Sequence, residues 1–199
     1  MNSNQTSGKV RKMAHIAMLS AVSVILMFFD IPLLFAPSFY KIDLSEVPVL
    51  IGTFSMGPLA GVIIELIKIA LNLVLKGSLT AGVGELANFL IGCAFIIPSG
   101  IIYQKSKTKR GAITGMLAGT LTMTIIGGIL NAFVLLPAYA KAFGTPIDYL
   151  IQMGSEVNHY ITNMSSFVLF AVVPFNLLKG GVVSLIVALI YKKISLVLK

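Results

Sequence analysis

Long apolar blocks separated by short polar segments dominate the pattern of this chain. The blocks run from about Met13 to Phe29, Val47 to Leu75, Val83 to Tyr103, Gly111 to Leu136 and Thr162 to Tyr191. Apolar stretches of about 20 residues are typical of helices that cross a bilayer, whereas the strands of membrane barrels show short alternating segments. The pattern therefore predicts an all-α integral membrane protein.

The block from Val47 to Leu75 has two interpretations: one tilted helix, or two shorter helices on either side of Met56-Gly57-Pro58. Charge decides between them. Lysine and arginine concentrate on the cytoplasmic side of membrane proteins, and the segment from Gln104 to Arg110 carries four cations and no anion. If the amino terminus is cytoplasmic and the block forms two helices, this segment and the carboxyl terminus both fall on the cytoplasmic side. We therefore predict a six-transmembrane-helix bundle with both termini cytoplasmic, whose second helix is short and sheltered by its neighbours.

In this topology the charges on the cytoplasmic side are all positive. They are Lys9, Arg11, Lys12, Lys105, Lys107, Lys109, Arg110, Lys192, Lys193 and Lys199. The outer loops, from Asp30 to Glu46, from Lys76 to Gly82 and from Pro137 to about Ile161, are mixed or acidic. The net charge of +8 thus follows the positive-inside rule, and we predict no nucleic-acid partner.

Composition agrees with a single membrane domain. Of the 199 residues, 57% are hydrophobic and 11% are charged, whereas soluble domains average about 45–50% and about 25%. Residues 1–12 are predicted to be a disordered basic cytoplasmic tail, and residues 13–199 a single six-helix transmembrane domain. The first block is too long for a signal peptide and no cleavage site follows it, so we keep it as a helix.

Few polar side chains fall within the apolar blocks, and most of them lie in the outer half of the predicted bundle. They are Glu65, Lys68, Asn72, Glu85, Asn88, Asn131, Asn176 and Lys179. An unpaired cation at such depth costs about 3 kcal/mol on insertion scales, so an intramembrane lysine such as Lys179 indicates a functional site. Asn176 and Lys179 are three residues apart and should share a helix face. The set predicts an outward-opening pocket whose amides suit a planar heterocycle with imide-like edges or a polyol.

Purely structural roles are an open alternative for several of these residues. Glu65 and Lys68 are three residues apart on one helix and would neutralise each other. Asn88 and Asn131 would be interhelical hydrogen-bond partners without a ligand. Lys179 would pair with a structural carboxylate or extend toward the interface.

Signatures of enzymes and metal sites are missing from the sequence. His15 and His159 fall on opposite sides of the membrane in the predicted topology, and Cys93 lacks a base. Neither the H-E-x-x-H zinc motif nor the ATP-binding pattern G-x-x-x-x-G-K-[ST] occurs, although the glycine-rich segment 77–88 would offer backbone N–H groups to an anion. We predict no catalytic residue, no metal and no cofactor. An intramembrane enzyme remains the alternative from a different class.

Four motifs, in order along the chain, resemble one known family. They are Lys41-Ile42-Asp43-Leu44-Ser45-Glu46-Val47-Pro48, Gly57-Pro58-Leu59-Ala60-Gly61, Gly82-Val83-Gly84-Glu85-Leu86-Ala87-Asn88-Phe89 and Pro174-Phe175-Asn176-Leu177-Leu178-Lys179-Gly180. Together they resemble the riboflavin-specific substrate-binding membrane subunit, or S component, of energy-coupling factor (ECF) transporters. The resemblance implies six helices, cytoplasmic termini and capture of riboflavin from outside as the transported substrate. An S component for another vitamin is the alternative from the same class.

The resemblance also implies partners and site residues. The partners are the lipid bilayer of a bacterial cell membrane, a transmembrane coupling subunit and two cytoplasmic ATPase subunits. Ala14, Ala17 and Ala21 would form the face of the first helix that docks the coupling subunit. The implied substrate-binding residues are Asn131, Asn176, Lys179, Thr80, Gly82, Gly84, Glu85 and Asn88, together with Tyr40, Lys41 and Asp43 from a lid in the first outer loop.

Overall fold

The structure is a computed structural model that describes residues 3–34, 36–37, 39–78 and 80–194; Lys199, predicted to be cytoplasmic, lies outside them. The helices of the described residues are α1 (Ser3–Met27), α2 (Glu46–Met56), α3 (Pro58–Lys76), α4 (Val83–Ser106), α5 (Lys109–Leu130), α6 (Leu136–Phe143), α7 (Ile147–Val157), α8 (Met164–Phe167) and α9 (Val173–Ile194). Two π-helical segments, Asn131–Leu135 and Val168–Val172, lead directly into α6 and α9. A short antiparallel ribbon pairs β1 (Ile31–Pro32) with β2 (Lys41–Ile42).

Five helical stretches of the described residues are long and apolar enough to cross a membrane. They are Gly8–Met27, Pro58–Lys76, Val83–Ser106, Lys109–Phe143 and Met164–Tyr191. The ambiguous block divides at Gly57, whose φ of 97° suits glycine and ends α2. Pro58 then occupies the first turn of α3, where its missing N–H costs nothing. The predicted division of this block into two helices is therefore confirmed.

The short helix α2 lies inside the bundle. Val49 and Leu50 have no exposed surface and Phe54 is 2% exposed, because α2 contacts α1, α3, α4 and α9. A helix of 11 residues is roughly 16 Å long, well short of the hydrocarbon thickness of about 30 Å. Protein rather than lipid surrounds it, as predicted for a short and sheltered second helix.

The bounds of other elements differ from the predictions. Helix α1 begins at Ser3 rather than Met13, within the segment for which we predicted a disordered tail. No proline interrupts this segment, and its second half contains Lys9, Arg11 and Lys12, which are good helix formers. The predicted outer loop beyond Pro137 contains most of α6 and all of α7, where Leu150 and Gly154 are buried at helical spacing. The first outer loop contains the β1–β2 ribbon.

Glycines bring α4 and α5 into close contact. A Cβ atom at Gly115 would lie 2.6 Å from the carbonyl oxygen of Ser99, and one at Gly119 would meet the carbonyl oxygen of Phe95. The G-x-x-x-G spacing of these residues therefore serves helix packing rather than ligand binding. This contact positions α4, whose first turns carry several of the predicted site residues.

Candidate ligand-binding cavity

One end of the bundle encloses a cavity of about 730 Å³, within the range of roughly 300–1,000 Å³ that is usual for small-molecule sites. The ends of α1, α3 and α6, the starts of α4 and α9, and helix α7 form its walls. Residues 28–45, which we call the lid loop, contribute Asp30, Phe39, Tyr40, Lys41 and Asp43. The cavity is therefore at the end of the bundle opposite to the start of α1 and the end of α9.

Nine of the eleven predicted binding residues line this cavity. They are Tyr40, Lys41, Asp43, Thr80, Gly84, Glu85, Asn88, Asn131 and Lys179. These residues come from the lid loop and from three other regions of the chain, so the fold brings together side chains that are up to 139 positions apart, counted as 179 − 40. Gly82 and Asn176 are not part of the lining.

Hydrogen bonds hold Asn131 in the cavity wall. Its Nδ2 donates to the carbonyl of Gly127 at 2.8 Å, and its Oδ1 accepts from the Tyr40 hydroxyl at 2.6 Å. Burial raises the pKa of Tyr40 well above its ordinary value, so the hydroxyl keeps the proton that it donates. Asn131 begins a π-helical segment shortly before Pro137, and a wider turn accommodates a proline that cannot donate to the preceding turn. The lid loop is thereby tied to the wall.

Lys179 enters the cavity with donor capacity to spare. Its Nζ lies 3.4 Å from Asn88 Oδ1 and 3.7 Å from Asp43 Oδ2, both longer than the roughly 2.7–2.9 Å of charge-assisted hydrogen bonds. The Lys179 side chain is 7% exposed, and an ammonium has three N–H donors. Lys179 can therefore donate to an acceptor on a bound ligand.

Asp43 joins the lid loop to the interior as a carboxylate. Burial alone would raise its pKa, but the charges of Lys179 and Lys68 and the hydrogen bond from the Ser45 N–H leave the pKa below its ordinary value. The Ser45 N–H donates to Asp43 Oδ1 at 2.8 Å, immediately before α2 begins at Glu46. The same residue thus fixes the start of α2 and faces Lys179.

Asn176 lies on the face of α9 that packs against α5 and is not part of the cavity lining, so its role at the ligand stays a prediction. It has no exposed surface, its Nδ2 donates to the Val172 carbonyl at 3.0 Å, and a Cβ atom at Gly127 would lie 2.7 Å from that Nδ2. Phe175 and Lys179, four residues apart, share the edge of α9 that lines the cavity. Successive residues of a helix point about 100° apart around its axis. Asn176, the residue after Phe175, therefore points toward α5 instead of into the cavity.

Hydroxyl groups and Glu85 shape the glycine-rich segment. Glu85 Oε2 accepts from the Ser78 hydroxyl at 2.9 Å and from the Thr80 hydroxyl at 3.2 Å. The Gly82 N–H donates to Ser78 Oγ at 2.8 Å and the Gly84 N–H to Thr80 Oγ1 at 2.9 Å. These two N–H groups are therefore satisfied within the segment and are not available to an anion.

A buried ion-pair network lies beside the cavity. Lys68 Nζ is 2.7 Å from Glu65 Oε2 and 2.9 Å from Glu46 Oε1, and the three side chains are 0–2% exposed. A Cβ atom at Gly92 would lie 2.6 Å from Glu65 Oε1, so this glycine of α4 makes room for the carboxylates. The predicted pairing of Glu65 with Lys68 is confirmed. The second carboxylate, Glu46, was missed because it is 22 residues from Lys68 along the chain.

Aromatic and apolar side chains form much of the remaining wall, and sequence analysis missed them. They are Met27, Phe39, Ala87, Ile91, Met123, Leu135, Tyr139, Phe143, Tyr149, Leu150, Met153 and Phe175. Within an apolar helix such residues carry no signal that separates a cavity wall from a lipid-facing surface. Only α7 offered such a signal in its sequence, because Leu150 and Met153 are three residues apart in an amphipathic segment. Aromatic walls of this kind suit a flat ring.

Comparison with known proteins places the chain among transporter subunits. The family model described as "ECF transporter, substrate-specific component" matches residues 11–191. The riboflavin transporter RibU of Staphylococcus aureus (strain TCH60) is 35% identical over 189 residues, which cover 95% of this chain and 93% of that protein. The riboflavin transporter FmnP of Bacillus subtilis (strain 168) is 34% identical over 188 residues, covering 94% and 93%.

A solved structure shares the fold. It is the S component of a bacterial ECF transporter, with a TM-score of 0.74, 34% identity, and coverage of 96% of this chain and 99% of that chain. The resemblance seen in the four motifs is confirmed, and the prediction that the chain is not an enzyme agrees with the family. With its long apolar helices, this chain is a membrane protein that belongs to the family of substrate-specific components of ECF transporters.

Proposed function

We propose that this chain captures riboflavin at the outer face of a bacterial cell membrane, as the substrate-specific subunit of an ATP-driven ECF transporter. The observation that carries the proposal is the partly unsatisfied ammonium of Lys179 beside Asn88, in a cavity that also has aromatic walls. The carbonyl edge of a flavin ring accepts hydrogen bonds from an ammonium and from amides, while its faces pack on aromatic rings. Relatives named riboflavin transporters support the same substrate.

The cavity divides into regions that suit the two parts of riboflavin. Asn88, Asn131 and Lys179 would bind the polar edge of the ring. The ribityl hydroxyls, which both donate and accept, suit the polar groups nearer the lid loop and the glycine-rich segment, among them Lys41 and Thr80. In this arrangement riboflavin is a transported substrate that leaves intact, rather than a cofactor.

Titration of the purified protein with riboflavin tests this function. Riboflavin fluorescence should be quenched and should saturate at one ligand per chain, and thiamine or biotin at the same concentration should not compete. Absence of quenching would rule out the flavin while leaving the family assignment intact. Competition by another vitamin would favour an S component of different specificity.

The proposal includes six membrane-crossing helices with both termini cytoplasmic, α2 being the short one. Exposed cations at the junction of α4 and α5, from Lys105 to Arg110, support it, since they lie at the end of the bundle opposite to the cavity. In a Cys93→Ser background, we expect a membrane-impermeant thiol reagent to label His159→Cys in whole cells and to spare Lys109→Cys. Labelling of Lys109→Cys alone would reverse the orientation.

The proposed partners are a transmembrane coupling subunit and two ATPase subunits, docked through α1. Ala14, Ala17 and Ala21 are all exposed in the structure, so the small-residue face is open to another helix. We expect Ala17→Phe to abolish copurification with the coupling subunit and riboflavin uptake while the riboflavin Kd stays within about twofold of wild type. Leu185→Phe, at an exposed site of α9, is the control. Equal losses of binding and of docking in Ala17→Phe would contradict this role.

A further inference from the structure

A single carboxylate at the mouth of the cavity holds two lysines from distant parts of the chain. Asp30 Oδ2 lies 3.1 Å from Lys41 Nζ and 3.0 Å from Lys76 Nζ. Lys41 belongs to β2 in the lid loop, whereas Lys76 is the last residue of α3, 46 positions after Asp30. All three residues line the cavity. One oxygen atom therefore connects the lid loop to the helix bundle.

The ribbon in the lid loop is too small to hold its own position. It pairs Ile31 with Ile42 and Pro32 with Lys41, and Pro32 has no N–H to donate. Two-stranded ribbons are at best marginally stable in water. The hydrogen bond from Tyr40 to Asn131 anchors the lid loop at the cavity wall, directly before β2. Where the lid loop approaches the end of α3, the ion pair between Asp30 and Lys76 is a second anchor.

The charge of Asp30 suits this task at neutral pH. Burial raises the pKa of Asp30, but the hydrogen bonds from Lys76 and Lys41 and their positive charges outweigh it and hold the pKa below its ordinary value. The carboxylate side chain is 25% exposed and the two lysines are 38% exposed. Bonds between partly exposed charges are weak enough to break and re-form, as an opening lid requires.

We propose that Asp30 is a positioning residue that latches the lid loop to the end of α3 and so sets the rate at which a bound ligand leaves the cavity. It acts through Lys41 and Lys76. The statement about ligand release rests on the proposed function, whereas the statement about the lid loop does not.

Hydrogen exchange of the ligand-free protein in lipid nanodiscs tests the latch directly. We expect Asp30→Asn to speed exchange in residues 31–42 by about three- to tenfold, the range for losing exposed ion pairs. Lys76→Met should act in the same direction. Asp148→Asn is the matched control, since Asp148 is an exposed carboxylate on α7 without an ion pair among the described residues. If hydrogen exchange in residues 31–42 is as slow in Asp30→Asn as in Asp148→Asn, Asp30 does not latch the lid loop.

Stopped-flow measurement of riboflavin dissociation tests the link to release. Asp30→Asn and Lys76→Met should each increase the dissociation rate, and the double variant should add little to Asp30→Asn, because both single variants remove the contact between Asp30 and Lys76. If the effects of the two single variants on the dissociation rate multiply fully in the double variant, the latch does not control release. The same holds if hydrogen exchange in the lid loop becomes faster while riboflavin dissociation does not. A wild-type protein that binds no riboflavin would refute the proposed function, while the exchange result would still decide whether the latch exists.

Discussion

Replacing Lys68 by methionine should lower the free energy of unfolding by about 3–5 kcal/mol, because it leaves two buried carboxylates without a cation. Lys68 Nζ is within 2.9 Å of oxygens of both Glu46 and Glu65, and the lysine side chain is 1% exposed. Glu46 Oε2 and Glu65 Oε1 are buried and find no hydrogen-bond donor among the described residues, so Lys68 supplies much of their stabilisation. Denaturation in mixed micelles measures the loss.

Two further variants separate the charge effect from the loss of a long side chain. Adding Glu46→Gln and Glu65→Gln to Lys68→Met should recover much of the stability, since neutral amides do not require a cation. Lys105→Met removes an exposed lysine at the end of α4, and its stability should stay within about 0.5 kcal/mol of wild type. A Lys68→Met variant as stable as Lys105→Met would show that the network contributes nothing.

Replacing Lys179 by methionine should weaken riboflavin binding by roughly 1–3 kcal/mol, or about 5- to 150-fold in Kd. The variant keeps the aliphatic length of the side chain and removes the donors that face the cavity. The polar edge of the ligand then loses a donor in a site with little water, where an unpaired acceptor is costly. Fluorescence titration measures the change in Kd.

A lysine on the same helix provides the control for Lys179. Lys193 is exposed near the end of α9, and Lys193→Met should leave the Kd unchanged. Because Lys179 also faces Asp43, thermal stability should be measured alongside affinity, and the affinity should be compared well below the melting temperature. A Kd within twofold of wild type in a folded Lys179→Met protein would assign Lys179 to a structural ion pair.

Features that depend on the local sequence were predicted well. In lipid the backbone must satisfy its hydrogen bonds within each segment, so long apolar blocks become helices whatever surrounds them. Gly57 and Pro58 divide one block through their own backbone preferences. Polar residues inside apolar blocks are costly unless they find partners. This cost is why Lys179 and Asn131 pointed to the cavity and Lys68 pointed to an ion pair.

The sequence by itself determined which segments are helices, where one block divides and which polar residues need partners. Only the tertiary structure decided which partners they find. Asn176 and Phe175 are neighbours in the chain, yet the rotation of α9 turns Asn176 toward α5 and Phe175 into the cavity. Glu46 reaches Lys68 and Asp30 reaches Lys76 across 22 and 46 positions. Local periodicity defines the faces of a helix, whereas the rotation and crossing of packed helices determine which faces meet.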